Sequence, residues 1–429
     1  MQRRPALALA LVAVAVLAGP LAGQDLRTRI SKQLFTFGTC GKPLCLTGAL
    51  PGHGNHFIPA DTASGSSILN FISNAIGASV GNTPLTSASS GVTFQFVGGL
   101  PVKTSTSAGP IFGERAQTLG RGRFFVGANV TQMRFQRLRG IRVDDIEFNF
   151  THEDTPPAGL GSPIFENDIV AVHVSLDVSL IVTSFAMSYG LVDGVDLSVD
   201  VPVVHTSVQG SSVANILPLG GFPDPHFFAG DLNNPVFTAF AATAGSATGI
   251  GDVAARLKVN VAQTKHVGVA MLLDARFPTG NADNLIGAGA FAGRGIGIVS
   301  ATWGNTTPHV NLGYAFRDGD LQNNSVIATL GFDQLLAPFA TLAFDVLSDW
   351  QIGDSKLVVP GPVHYVSPYP HQVIPTNIPS QRDDLMSASL GFKFTTQRGI
   401  LLVANALIPL RNSGLQASAV WTGGIEYNF

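Results

Sequence analysis

The stretch Asp252-Val-Ala-Ala-Arg-Leu-Lys-Val-Asn-Val261 changes chemistry at every step. Val253, Ala255, Leu257, Val259 and Val261 fall on one side of an extended chain, and Asp252, Arg256, Lys258 and Asn260 fall on the other with Ala254. Successive side chains of a strand point to opposite faces, so this is a β-strand with one apolar and one charged face. Asp196, Ser198 and Asp200 alternate in the same way with Val195, Leu197, Val199, Val201 and Val203. Asp274 and Arg276 do so with Val267, Val269, Met271, Leu273 and Ala275.

Only 12% of the 429 residues are charged, with 25 Lys+Arg against 28 Asp+Glu and a formal net charge of −3. An ordinary soluble domain carries about 25%. Beyond residue 30 no apolar run approaches the roughly 18 residues of a spanning helix, which excludes a helical membrane protein. The near-neutral balance offers no basic stripe for a phosphate backbone, so nucleic acid is not an expected partner. A chain 45% hydrophobic, with 48 Gly, 26 Pro and 28 Phe, is left with two architectures. It is a large soluble all-β protein or a β-barrel whose apolar face meets lipid, where charge is expensive.

From about residue 123 the alternation is continuous. Further strands are expected at about 294–304, 309–317, 324–332, 339–350, 382–396, 399–411 and 415–429. Short turns fall at Gly190–Gly194, Gln263–His266, Gly304–Pro308, Asp333–Pro338 and Thr396–Gly399. The connectors between them are mostly longer, at about 208–248, 278–293 and 351–381, with shorter ones at 318–323 and 412–414. Phe124–Phe150 and Asp168–Ser188 each exceed the roughly 9 to 11 residues that cross a bilayer. Read as two long strands, they project beyond it and meet through Thr151–Asn167, with a bulge near Leu138–Gly140. The expected fold is all-β, a transmembrane antiparallel up-and-down barrel of about 12 strands with both ends on the short-turn side. Splitting either long strand gives ten or fourteen.

Met1–Gly23 reads as a secretory signal, with Arg3 and Arg4 before the apolar run Ala6–Ala18 and small residues at Ala22-Gly23. Export to the cell outer membrane follows. Cys40 and Cys45 enclose Gly-Lys-Pro-Leu, and in an oxidising compartment they are expected to form a disulfide. With His53 and His56 they also make C-x4-C-x7-H-x2-H, a less favoured zinc arrangement. Gln24–Gly122 lacks strand alternation: short helices are expected at Leu26–Leu34 and Ser66–Val80, then a hairpin at Val92–Val97 turning at Gly98-Gly99. The domains expected are the signal at 1–23, a small mixed plug or periplasmic segment at 24–108, and the barrel at 109–429.

If the apolar faces meet lipid, His173, Asp177, Asp196, Asp200, Asp252, Arg256, Lys258, Asp274, Arg276, Arg317, Asp345, Lys393, Arg411 and Glu426 point into the lumen. Both signs are present, so they either line a wet pore or pair with one another and with a plug. Aromatic and proline-rich connectors, with Phe222, Phe227, Phe228, Phe237 and Phe240 in one and Tyr365 and Tyr369 in another, are placed to collect an apolar solute or to pack together.

Four stretches carry a family resemblance: Gly109–Gly120 leading into Arg121–Phe124, Tyr189–Asp196 leading to Val201-Pro-Val, Gly249–Arg256, and Arg276–Gly280. Together they resemble the outer-membrane barrels associated with the meta-cleavage pathway of phenol degradation. The resemblance covers about residues 109–429 and implies a transporter of small hydrophobic or aromatic molecules, with no catalytic residues to carry over. The alternating end, with Trp421, Ile425, Tyr427 and terminal Phe429 on one face, is similar to the signal read by the barrel-assembly machinery. The hatch pattern of fatty-acid transporters is not found.

Gly77-Ala-Ser79-Val-Gly81 matches a hydrolase pattern but follows a helix instead of a strand. Gly249–Ala254 matches G-x-G-x-x-A but opens a strand, not a helix receiving a pyrophosphate. No catalysis, cofactor or metal is expected. The expected function is a passive outer-membrane channel admitting small hydrophobic or aromatic molecules. The alternative is a closed structural barrel whose loops or leader bind an envelope partner. The facing is testable: Val199→Arg should cost insertion about 2 to 4 kcal/mol near the midplane, whereas Ser198→Arg should assemble normally.

Overall fold

The computed structural model describes residues 25–37, 41–48, 57, 63–81, 87, 94–97, 100–103, 107–152, 168–217, 226–366 and 369–429. The signal at Met1–Gly23, Cys40, His53, His56, the Gly98-Gly99 turn and Phe222 lie outside the described residues.

Twelve strands form the wall: β1 (Phe124–Leu138), β2 (Ile169–Val192), β3 (Val195–Leu217), β4 (Val253–Gln263), β5 (Val267–Phe277), β6 (Ala292–Ala301), β7 (Thr306–Arg317), β8 (Ser325–Ala337), β9 (Ala340–Gln351), β10 (Leu385–Thr395), β11 (Ile400–Pro409) and β12 (Val420–Asn428). Each pairs antiparallel with its neighbours in sequence, and β12 pairs with β1 to close the ring. Phe124 and Phe429 exchange backbone hydrogen bonds of 2.8 and 2.9 Å at the seam. Closure satisfies the N–H and C=O groups that an open edge would leave bare in hydrocarbon. Around the outside, Phe185, Met187, Leu197, Met271, Leu273, Leu312, Leu330, Leu390 and Ile425 are 43–62% exposed, a belt suited to lipid and not to water. Trp421, Tyr427 and Phe429 are exposed on the same outer face.

β2 and β3 are 24 and 23 residues long, and their two faces exchange chemistry part of the way up. Near the short turn, β2 shows Ile181, Phe185 and Met187 outward; beyond it, the outward residues are His173, Ser175, Asp177 and Ser179. Over that upper stretch the inward residues become Val170, Val172, Val174, Leu176 and Val178, all buried. Above the bilayer the apolar face no longer has lipid to meet, so it turns to a core.

The upper sheet also contains Ile146–Phe150, paired with β2, and Thr238–Ile250, paired with β3 from Val203 to Asn215. β3 therefore has two partners on one edge, with β4 taking Val195–Asp200. This corrects the loop expected at 208–248, much of which is strand. Its Ala, Gly, Ser and Thr residues offer too little contrast between faces to show a period of two. The break at Leu138–Gly140 is likewise more than a bulge. Arg139 and Gly140 both adopt positive φ, 49° and 89°, and turn the chain into a small hairpin in which Leu138 faces Ile141.

The N-terminal residues fill the concave side of this sheet. Asp25 caps α1 (Leu26–Ser31) by accepting from the Thr28 N–H at 2.7 Å. A single 3₁₀ turn, Gln33–Phe35, follows. Phe35 meets Phe148 and Phe150 edge-on at 5.7 and 5.8 Å, and Leu34 accepts a hydrogen bond from Ser212. α2 (Ala63–Gly81) buries Ile72, Ala75 and Ile76 in the same core and reaches the long-loop rim, where its Ala78 carbonyl accepts from Gln322 at 2.6 Å. Phe94–Val97 and Leu100–Lys103 pair as the expected hairpin.

The register alters one expectation above. Ser198 is buried and opposite Arg256, so arginine there would set two cations side by side. Ser211→Arg, exposed on the outer face above the belt, is the substitution expected to be tolerated. Leu176→Ala should lower stability by about 2 to 5 kcal/mol through the cavity it leaves, read as an earlier midpoint in urea-dependent loss of the heat-modifiable electrophoretic form.

Candidate functional site

Ser107–Gly122 runs through the barrel close to the short-turn end. Gly109, Gly120 and Gly122 take positive φ of 88°, 90° and 74°, which lets the chain bend there without steric cost. Its backbone is held by wall side chains in turn. Ala108 N–H donates to Thr341 at 3.0 Å, Gly113 to Asp345 at 3.2 Å, Glu114 to Asn311 at 2.8 Å, Ala116 to Ser300 at 3.0 Å and Leu119 to Asp196 at 2.9 Å. Asn311 and Asn260 donate back to the carbonyls of Glu114 and Ala116, both at 2.8 Å. Polar inner-wall residues thus replace the strand partners that an irregular segment lacks.

Two of its three charged side chains, Glu114 and Arg115, are buried against opposite charges, while Arg121 is exposed. Arg115 donates through Nε to Asp333 at 2.8 Å, and Ser107 bonds the same carboxylate. Glu114 accepts from Lys258 at 2.9 Å and lies 3.9 Å from Arg256. Arg256 in turn donates to Asp274 at 3.0 Å, with Arg276 3.6 Å from that carboxylate. Beside Gly113, His309 and Asp345 are joined at 2.7 Å, and a Cβ at Gly113 would come within 2.3 Å of the imidazole. Only glycine fits that crossing. Gly190 is equally constrained, because a Cβ there would lie 1.9 Å from the Gly120 carbonyl.

Above this crossing the lumen holds a cavity of about 230 Å³. Its floor is Phe112 and Glu114, its walls include Ile296, Ile327, Leu347, Leu385 and Leu407, and α2 reaches it through Ser79. Arg294, Asn311, Asp349 and Ser387 add polar groups at the margin. A mostly apolar chamber with a few converging polar atoms is the form a small-molecule site takes.

The residues named from sequence divide as follows. Asp196, Asp200, Arg256, Lys258, Asp274, Arg276, Arg317, Asp345, Lys393 and Glu426 lie buried on the inner wall, each 8% exposed or less. Lys393 and Glu426 pair at 3.1 Å, and Arg317 pairs with Asp349. Asp252 instead sits where Thr238–Ile250 gives way to β4 and pins the 278–291 connector, accepting from Gly280 at 3.0 Å and Ala288 at 2.7 Å. His173 and Asp177 are on the outer face, where Asp177 meets Arg134, because the faces have exchanged by that height. Arg411 is exposed beyond the end of β11. Phe227 and Phe228 are buried, Phe237 and Phe240 exposed. Glu114, Arg115, His309 and Asp333 were not among the expected lumen residues, although His309 alternates with Asn311 and Glu114-Arg115 is a charged pair in an otherwise uncharged run.

The sequence matches no family model and no curated protein. Among solved structures, one similar chain is an outer-membrane channel of Pseudomonas putida F1, with 10% identity over 73% of this chain and 98% of that one, at a TM-score of 0.44. Another is a FadL homologue of Pseudomonas aeruginosa, with 10% identity over 72% and 89% and a TM-score of 0.32. A third is a deletion mutant of the TodX monoaromatic hydrocarbon channel, with 9% identity over 73% and 92% and a TM-score of 0.35.

Arg115→Ala should strand the buried Asp333 carboxylate and cost about 3 to 5 kcal/mol, seen as easier chemical unfolding. The same variant should acquire ion-conducting steps in planar bilayers, as the crossing segment loosens.

Proposed function

We propose that this protein is a passive outer-membrane channel for small hydrophobic molecules, and that the chamber above Phe112 and Glu114 is where the solute rests. The observation that carries the reading is an apolar cavity held inside a lipid-facing barrel, between α2 and a charge-paired floor. The resemblance of four sequence stretches to phenol-pathway barrels supports an aromatic solute. Three of those stretches converge on one place: Gly122 N–H donates to the Gly190 carbonyl and Gly190 N–H to the Arg123 carbonyl, Asp196 holds Leu119, and Arg256 lies beside Glu114. The buried charges serve to hold the floor in register, not to conduct ions.

The remaining assignments belong to the same reading. Met1–Gly23 is removed on export, residues 24–108 act as the plug domain of a barrel at 109–429, and Cys45 closes a small disulfide with Cys40. Trp421, Ile425, Tyr427 and Phe429 present the final strand to the barrel-assembly machinery.

Ser387→Trp tests the chamber, because Ser387 lines it from β10. The variant should assemble as the parent does but lose binding of an apolar fluorescent probe and slow the entry of a monoaromatic solute into proteoliposomes. Unchanged binding and entry would move the solute path elsewhere.

A further inference from the structure

High in the upper sheet, far from the chamber, three loop ends bring together His152, Asp168 and His226. His152 follows Ile146–Phe150, Asp168 immediately precedes β2, and His226 belongs to a short strand, His226–Phe227, that pairs with Thr47–Gly48. All three are buried, Asp168 and His226 completely. His152 Nε2 lies 2.5 Å from one Asp168 oxygen and His226 Nδ1 lies 3.0 Å from the other. One donor atom from each residue falls within 4.8 Å of the other two. Phe57 closes one side, its ring 4.2 Å from that of His152 and 5.0 Å from that of His226, and Phe57 also bridges His152 through the backbone.

We propose that His152, Asp168 and His226 form a binding site for one zinc-like divalent transition ion, which ties together three loop ends of the upper sheet against which Phe57 and Thr47–Gly48 of the N-terminal segment rest. Two imidazoles and one carboxylate are a donor set that zinc accepts, and one coordination position would remain for water or another ligand. Calcium and magnesium prefer shells built from oxygen, which these residues do not supply. Tyr365 is buried nearby and packs with Ile169 and Val373. The ion would occupy the space that imidazole protons bridge in the metal-free protein, and its binding would release protons.

A second cluster, Asp145, Glu147 and His173, is exposed on the outer surface and serves as an internal control. The test is equilibrium dialysis of the refolded full chain against Zn²⁺, with bound metal counted by mass spectrometry. One tightly held equivalent is expected, retained in His173→Ala. Loss of a group that merely orients a metal ligand costs about 10- to 100-fold in affinity, so His226→Ala and His152→Ala should each weaken binding by about 100-fold or more. Heat-modifiable mobility shows whether each variant still forms the barrel. If a variant does not, Co²⁺ added to the unmodified chain gives a second readout, a visible spectrum of imidazole-bound cobalt that excess Zn²⁺ abolishes. No saturable uptake by the unmodified chain, or equal uptake by barrels carrying His226→Ala, would overturn the proposal.

Discussion

Charges taken out of water must be matched, and that requirement shapes the inside of this barrel. The inner wall carries Asp196, Arg256, Lys258, Asp274, Asp333 and Asp345 with almost no access to solvent. An unmatched charge in such a place costs several kcal/mol. Glu114 and Arg115, adjacent in the chain and opposite in sign, point to a cationic and an anionic part of the wall, Lys258 on β4 and Asp333 on β8. Their spacing fixes where the crossing segment runs. That path sets the position of Phe112, and with it the depth of the chamber above. The glycines of the segment are subordinate to the same requirement, since any side chain at Gly113 would part the backbone from Asp345 and His309.

Along the lower wall this architecture is legible in the sequence because lipid outside and charge inside leave an unmistakable alternation. Val253–Val261 and Val195–Val203 read directly as strands, and the closure of the ring follows from an even count with both ends at the short turns. The reading weakens where the outside is water. Thr238–Ile250 pairs along its length with β3, yet its two faces are Thr, Phe, Ala, Ser and Ile against Ala, Thr and Gly, and little contrast survives. His173 and Asp177 fail for the converse reason. Their alternation is clear, but the rule that the apolar face looks outward holds only as far up as the lipid. Asp333 sat in what looked like the start of a turn, and β8 continues past it to Ala337. Glu114 and Arg115 belong to a segment with no periodicity at all, so their partners emerge only once the wall is assembled.

The exchange of faces in β2 and β3 divides the molecule by solvent. Below it, the barrel puts its apolar residues out and its polar ones in; above it, the same strands curl a greasy inner surface around α1, the Gln33–Phe35 turn and part of α2. The upper sheet therefore gives the N-terminal residues a core of ordinary protein type on top of a lumen of the opposite kind. α2 belongs to both regions, because its buried stripe joins the upper core while Ser79 reaches the chamber. That helix therefore touches both the rim and the cavity.

The crossing segment also has a place in time. Residues 107–122 lie inside the ring and lead without interruption into β1, the strand that must meet β12 for the ring to shut. A finished barrel offers no seam through which the segment could enter sideways, and α2 reaches its upper rim. Laying the segment down while the sheet is still open, with β1–β12 pairing as the closing event, avoids threading it through a closed ring. Maturation of this protein is in that sense a wrapping of the wall around its own floor, and the pairing of β12 with β1 completes the enclosure.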